Sequence, residues 1–366
     1  MAAIVPKTLA GFLARRLRSL LLQERSRKET ALEVVRWMGA LQAQDYESGL
    51  WAIGLRTCAA TREEVEAAIA RREIVRTWSM RGTWHFVPAA DVRWMQDLLA
   101  SRQLPAIRRR SADFGFDEAD VSRGRRLVVK ALEGGHQRPR AELIQRLAAA
   151  GFRTDEQGGN HLLRRFGNEG LICQGEFQGR EPAFALRDEW IPRPVLLERE
   201  AALAEIARRF FRSHGPATVH DFAWWTGLPL GEARTAIGAA GRTLERHLCN
   251  DHEHWTADET GDPPSAASTM LLPAFDEHLL GYQDRSAVLD AAFADAVAPG
   301  GNGVFRPTLV VKGRVAGLWQ KKVSAKQLVL EITLRLPLAP VVQRGIAQAA
   351  DRLGAFHQRP VAIRIG

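Results

Sequence analysis

Two glutamines, Gln42 and Gln44, stand one residue apart in the run Leu41-Gln42-Ala43-Gln44-Asp45. A side-chain amide donates and accepts hydrogen bonds but does not titrate. Such a pair holds a water or a sugar, and it cannot act as a strong general acid or base. If it is catalytic, the substrate must bring its own activated leaving group. Side chains at i and i+2 share one side only in extended or bent backbone, not on a helix. Both glutamines are therefore expected where the preceding amphipathic segment, ALEVVRWMGAL, breaks. Asp45 is the adjacent source of negative charge, expected to face away and to play a minor part at most. The competing reading is that the glutamines cap helices or satisfy buried backbone groups.

Other constellations are thinner. His247, His252 and His254 lie near Asp251 and Glu253, and alternate strand positions share a face, but no further spaced ligand set accompanies them. No metal site and no cofactor is expected. Gly300-Gly301-Asn302-Gly303 lacks the Lys-Ser/Thr of a phosphate loop. Cys58, Cys173 and Cys249 are far apart with no CxxC pair, the pattern of reduced thiols in a cytoplasmic protein. No Ser-His-Asp arrangement is readable by spacing, and nothing points to a lysine Schiff base.

The chain has 366 residues, enough for two to three domains, with 46% hydrophobic and 25% charged residues. MAAIVPKTLAGFLARR breaks its apolar run with Pro6 and Lys7, so no secretory leader is expected. No stretch approaches the roughly 18 apolar residues of a membrane span. A net charge of +9 favours a polyanionic partner. Arginines gather in the first half, for example at Arg15, Arg16 and Arg18, at Arg71, Arg72, Arg76 and Arg81, and at Arg108, Arg109 and Arg110. Acidic residues concentrate later, around Asp251, Glu253, Asp258, Glu259 and Asp262. One end of the molecule is thus expected to seek phosphates, arginine being suited to bidentate contacts. The bland alternative is a solvated basic face.

Three regions share one grammar of helices followed by short β segments. TREEVEAAIARRE opens with a capping box, Thr61 with Glu64, and IVRTWSM and TWHFV flank Arg81-Gly82 as a hairpin. RGRRLVVKALEGG, RPRAELIQRLAAAG and GNHLLRRFGNEG read as three helices before the strands LICQGEF and EPAFALRD. EREAALAEIARRFFRSHG, GPATVHDFAWWTGL and PLGEARTAIGAAG repeat the order before RTLERHLCN and HEHWTA. The Pro139 and Thr218 segments align at a spacing of about 79 residues, a faint repeat. The linker DETGDPPSAAST then leads to a β-rich part, with MLLPAFDEHLLG, FRPTLVVKGRVAGLWQKK, VLEITL and VAIRI as strands, a turn at Lys312-Gly313, and one helix, VVQRGIAQAADRLGAF. The expected fold is α+β: three tandem winged-helix units followed by a C-terminal β-rich, barrel-like domain. Residues 1–110 hold the N-terminal helices, the glutamine motif and the first unit. Residues 111–194 and 195–258 hold the second and third, and 259–366 the linker and β-rich domain.

Four segments carry a resemblance: ALQAQDYESGLWAIGLR, RTWSMRGTWHFVPAAD, LLPAFDEHLLGYQDRS and NGVFRPTLVVKGRVAGLW. In this order they resemble the HTH-42, AlkZ/YcaQ-like family of winged-helix DNA glycosylases, and the likeness spans essentially the whole chain. The resemblance implies three tandem winged helices and a C-terminal β domain around a basic channel. It also implies removal of bulky N7-alkylpurines and unhooking of crosslinks, in repair or in self-resistance to alkylating natural products. Gln42-Ala43-Gln44 matches the Gln-x-Gln form of the family motif.

That substrate suits two amides. Alkylation at N7 makes the purine cationic and a good leaving group, so what remains is to stabilise an oxocarbenium-like sugar and position a water. Candidate DNA contacts are Arg76, Trp78, Arg81, Trp84 and His85 on the first ribbon, with ordinary ribbon packing the alternative for the tryptophans. Phe275, Asp276, Tyr282 and Arg285 are similar candidates, and a hairpin there or near Lys312 is expected to probe the minor groove. The expected partner is double-stranded DNA, approached by a cytoplasmic, nucleoid-associated monomer without a membrane or obligate protein partner. The rival function is a non-catalytic winged-helix regulator, which expects two-fold symmetry rather than three dissimilar units in one chain.

Overall fold

The computed structural model describes residues 8–155, 157–178, 181–191, 193–249, 252–257, 269–301, 303–324, 326–335 and 337–366. The chain divides into two compact units, one joining Met1–Glu66 to Leu203–Gly366 and the other formed by Ala67–Ala202. All but one residue of the DETGDPPSAAST linker lies outside the described residues.

In the first unit, helix Ala31–Met38 buries Ala31, Val34, Val35 and Met38, the single apolar face of a short amphipathic helix. Thr30 and Glu33 close a reciprocal capping box at its start. Gly39, at φ 78°, ends it in a conformation that costs a side chain energy. The chain then runs extended through Leu41–Gln42, bends at Gln44 and Asp45, and enters helix Tyr46–Gly54. That helix buries Leu50, Trp51 and Ile53, and a Cβ on Gly54 would overlap the Phe356 ring.

Helices Arg199–His214, Val219–Thr226 and Leu230–Ala240 precede the antiparallel hairpin Glu245–Cys249 and His252–Thr256, in which His247 pairs with His254. Thr218 and Asp221 form a second capping box. The C-terminal strands make a five-stranded sheet in the order Val361–Ile365, Leu328–Leu334, Arg314–Val323, Thr308–Val311, Thr269–Leu272. This corrects the barrel expectation. The last strand returns through helix Pro340–His357 to pair in parallel with Leu328–Leu334, so it caps the edge opposite Thr269–Leu272 and the sheet stays open.

MLLPAFDEHLLG is strand only over Thr269–Leu272. Phe275 then takes φ 59°, and Asp276 caps the short helix Glu277–Leu280 by accepting from the His278 amide at 2.9 Å. Lys312 and Gly313, at φ 50° and 79°, form the expected turn between Thr308–Val311 and Arg314–Val323.

In the second unit, Arg81 and Gly82 (φ 52° and 68°) turn the hairpin Ile74–Met80 and Thr83–Pro88. Helices Glu118–Leu132, Arg140–Ala149 and Gly158–Asn168 lead to the paired strands Ile172–Gln178 and Glu181–Leu186. Trp78 packs in their common core with Leu132, Phe166 and Phe184. No described helix is long and apolar enough to cross a membrane.

Candidate active site

Gln42 and Gln44 sit in the extended-to-bent segment that follows helix Ala31–Met38. Their surroundings differ sharply. Gln42 is 7% exposed and its side-chain carbonyl Oε1 is buried with no hydrogen-bond partner among the described residues, whereas Gln44 is exposed. A buried acceptor left unpaired costs about 1–3 kcal/mol, so such groups call for an explanation. Asp45 caps the next helix, accepting from the Ser48 amide at 2.7 Å, which directs its carboxylate into the fold's own backbone.

Behind Gln42 lies a carboxylate that the motif alone does not announce. Glu277 is 1% exposed, and its Oε1 accepts the Gln42 backbone N–H at 3.2 Å. Its Oε2 accepts from Trp225 Nε1 at 3.0 Å and lies 3.3 Å from His214 Nε2. The neighbouring Asp276 pairs bidentately with Arg56, both contacts at 2.9 Å. Arg56 also donates to the carbonyls of Leu20 and Ala52, so this buried guanidinium is well satisfied. Tyr282 donates to the His214 carbonyl at 2.8 Å, and burial pushes its phenol pKa up. His278 donates through Nε2 to Gly313 O at 3.1 Å, and burial pushes it down to about 4.

These placements redistribute the expected DNA contacts. Asp276 and Tyr282, 3% and 1% exposed, have their polar groups engaged internally, which leaves no surface for direct DNA contact. His85 is fully buried, its Nδ1 3.0 Å from Thr83 O, and Trp78 is 6% exposed, packed on Trp84 and Phe184. Both therefore build the ribbon rather than face solvent. Arg76 is buried, donating to Gln174 at 2.7 Å and stacking on Trp84. Arg81 and Trp84 are half-buried near the turn. Arg285 is half-buried, donates to Leu279 O at 2.7 Å, and lies over Trp224 and Phe305. Phe275 is half-buried and Lys312 exposed at its hairpin tip.

Lys312 borders a cavity of about 1200 Å³ in the first unit, together with Arg25, Arg27, Arg314, Arg344 and Arg352. Glu24 and Asp290 are its acidic members. Burial pushes the Arg27 guanidinium down, and Arg27 Nε and Arg352 Nη1 are buried without partners among the described residues. Such a surface favours a polyanion.

Two amides on a bend, one of them backed by a buried carboxylate, and a separate cavity lined mainly by basic side chains are thus the chemistry-bearing features of the first unit. The fold is similar to that of Streptomyces sahachiroi DNA glycosylase AlkZ, with a TM-score of 0.82 over 100% of both chains at 24% identity. A relative from Streptomyces sahachiroi, an interstrand DNA cross-link repair glycosylase, is 26% identical over 91% of this chain and 93% of its own. The model of the AlkZ-like DNA glycosylase family matches residues 35–356, and the chain belongs to that family. It is thus an enzyme of the glycosylase class, with DNA as its polymer substrate.

Proposed function

We propose that this glycosylase hydrolyses the N-glycosidic bond of N7-alkylated purines in duplex DNA, bulky and crosslinked adducts included, with Gln42 and Gln44 as its catalytic residues. The observation that carries the reading is the buried Oε1 of Gln42, unpaired among the described residues, beside a backbone clamped by Glu277. That oxygen accepts from the attacking water, and Gln44, exposed on the same bend, meets the sugar. Water adds to C1′, and the electrons of the C1′–N9 bond neutralise the cationic purine as it leaves. The water's proton passes to solvent, so no strong protein acid or base is needed. The relative's role in interstrand crosslink repair supports a site tolerant of bulk.

Residues 1–110, 111–194 and 195–258 each contain helices followed by a β-ribbon, which supports three winged-helix units ahead of a C-terminal β-rich domain at 259–366, whose described strands begin at Thr269. Arg81, Trp84, Phe275, Arg285 and Lys312 remain the candidates for DNA contact, with Arg76 holding Trp84 in place. The same reading makes the protein a monomer acting at the nucleoid.

The test is incubation of purified protein with duplex DNA carrying an N7-alkylguanine. Release of free base, leaving an alkali-labile abasic site, is expected. Tight binding without release from small, bulky or crosslinked adducts would refute the reading.

A further inference from the structure

The hydrogen-bond logic around Glu277 points to a device that fixes Gln42. Each oxygen of this carboxylate receives an N–H: Oε1 from the Gln42 backbone at 3.2 Å, Oε2 from Trp225 Nε1 at 3.0 Å. The site therefore demands acceptors at both ends. A glutamine, isosteric but with one oxygen, would have to turn its NH₂ toward one of those donors.

The third partner is equally constrained. Ser213 donates its hydroxyl proton to the Arg209 carbonyl at 2.7 Å, so its Oγ, 2.8 Å from His214 Nδ1, must accept there. His214 thus carries its proton on Nδ1, and its Nε2 faces Glu277 Oε2 at 3.3 Å. One proton held between Nε2 and Oε2 satisfies both groups, as imidazolium–carboxylate or imidazole–carboxylic acid. Ser213 and His214 are fully buried and Glu277 nearly so, which leaves water no access to relax the arrangement.

We propose that Glu277, oriented by Trp225 and His214, is a positioning residue that holds the Gln42 backbone so that its amide meets the reacting water in one orientation. The inference rests on Gln42 being catalytic, and it assigns no contact between Glu277 and DNA. Placement matters because small misorientations of a water-positioning group cost rate while leaving ground-state binding intact.

Three variants test it: Glu277→Gln, Trp225→Phe and the double variant. Glu277→Gln is expected to lower single-turnover base release at least about tenfold with DNA affinity unchanged, the signature of lost positioning. Trp225→Phe alone should lower it only about threefold, because the other oxygen still clamps Gln42. In the double variant the Trp225 N–H is gone. The new amide can accept from Gln42 and donate to His214 Nε2, so activity should return to within about threefold of Trp225→Phe. Cavity loss alone would make the double variant worse than either single one.

Hydrogen exchange at the Gln42 amide supplies a readout that needs no catalysis. It should quicken about tenfold in Glu277→Gln and slow again in the double variant. If the wild-type protein releases no base, the glycosylase reading fails while exchange still decides the positioning. Wild-type rate and exchange in Glu277→Gln would overturn the proposal, as would a double variant no better than Glu277→Gln. Should Glu277→Gln fail to fold, the double variant decides: folded and active supports the device, inactive or unfolded overturns it.

Discussion

At the scale of single residues, Gln42 combines a pinned backbone with an unsatisfied side-chain oxygen. On the proposed reading that oxygen meets the attacking water, so Gln42→Ala is expected to cut base release about a hundredfold or more with DNA affinity nearly intact. Gln44→Ala should fall in the same direction, checked by the same single-turnover assay beside a binding titration. Losses of affinity in proportion to activity would make the motif structural. His278 makes a pH prediction. Its Nε2 donates to Gly313 O, its Nδ1 is buried without a partner among the described residues, and burial pushes its pKa down to about 4. The unfolded chain, with an ordinary histidine near 6.5, takes up a proton that the folded chain refuses. Stability is complete above about pH 6.5 and lost as pH falls toward 4, by about 2 kcal/mol at pH 5 from this group. His161 and His357, also lowered to about 4 by burial, add to the same trend. Urea denaturation at pH 7 and pH 5 reads the difference, and a neutral donor in its place, as in His278→Gln, should remove this group's share of it.

At the scale of elements, the sequence was most legible where the determinants are local. The Thr61–Glu64 capping box, the Arg81-Gly82 and Lys312-Gly313 turns and the helix break at the glutamine motif all depend on a few neighbouring residues, and all appear as read. The expected strand beyond Leu272 does not, because apolar content there belongs to a short helix started by the Asp276 cap. The open sheet was equally hidden: strand order depends on which edge the final strand joins after helix Pro340–His357, and no local pattern encodes that. Glu277, His214 and Trp225 escaped notice for the same reason, since the Gln42–Glu277 bond spans 235 residues. In the sequence Glu277 stands out only as part of the FDEHLLG block. Helix Ala31–Met38 delivers the motif, so losing its cap should propagate there. Thr30→Ala is expected to cost about 1 kcal/mol, read by urea denaturation.

At the scale of the whole molecule, the net charge of +9 and the basic lining of the groove bordered by Arg25, Arg344 and Lys312 favour a polyanion, and the proposal that DNA binds there makes binding electrostatic. If six or more phosphates are contacted, affinity should fall about a thousandfold between 50 and 200 mM salt. Lys312→Ala should weaken binding uniformly across sequences and reduce the logarithmic salt slope by about 1. An unchanged slope would remove Lys312 from the interface. The central claim joins this surface to the motif: two non-titrating amides suffice because the lesion is already cationic. Single-turnover base release from matched duplexes, one carrying N7-methylguanine and one the neutral O6-methylguanine, tests it most directly. The account predicts release of the cationic base alone, abolished by Gln42→Ala. Comparable release of the neutral base would mean that the protein supplies a strong acid, and would contradict it.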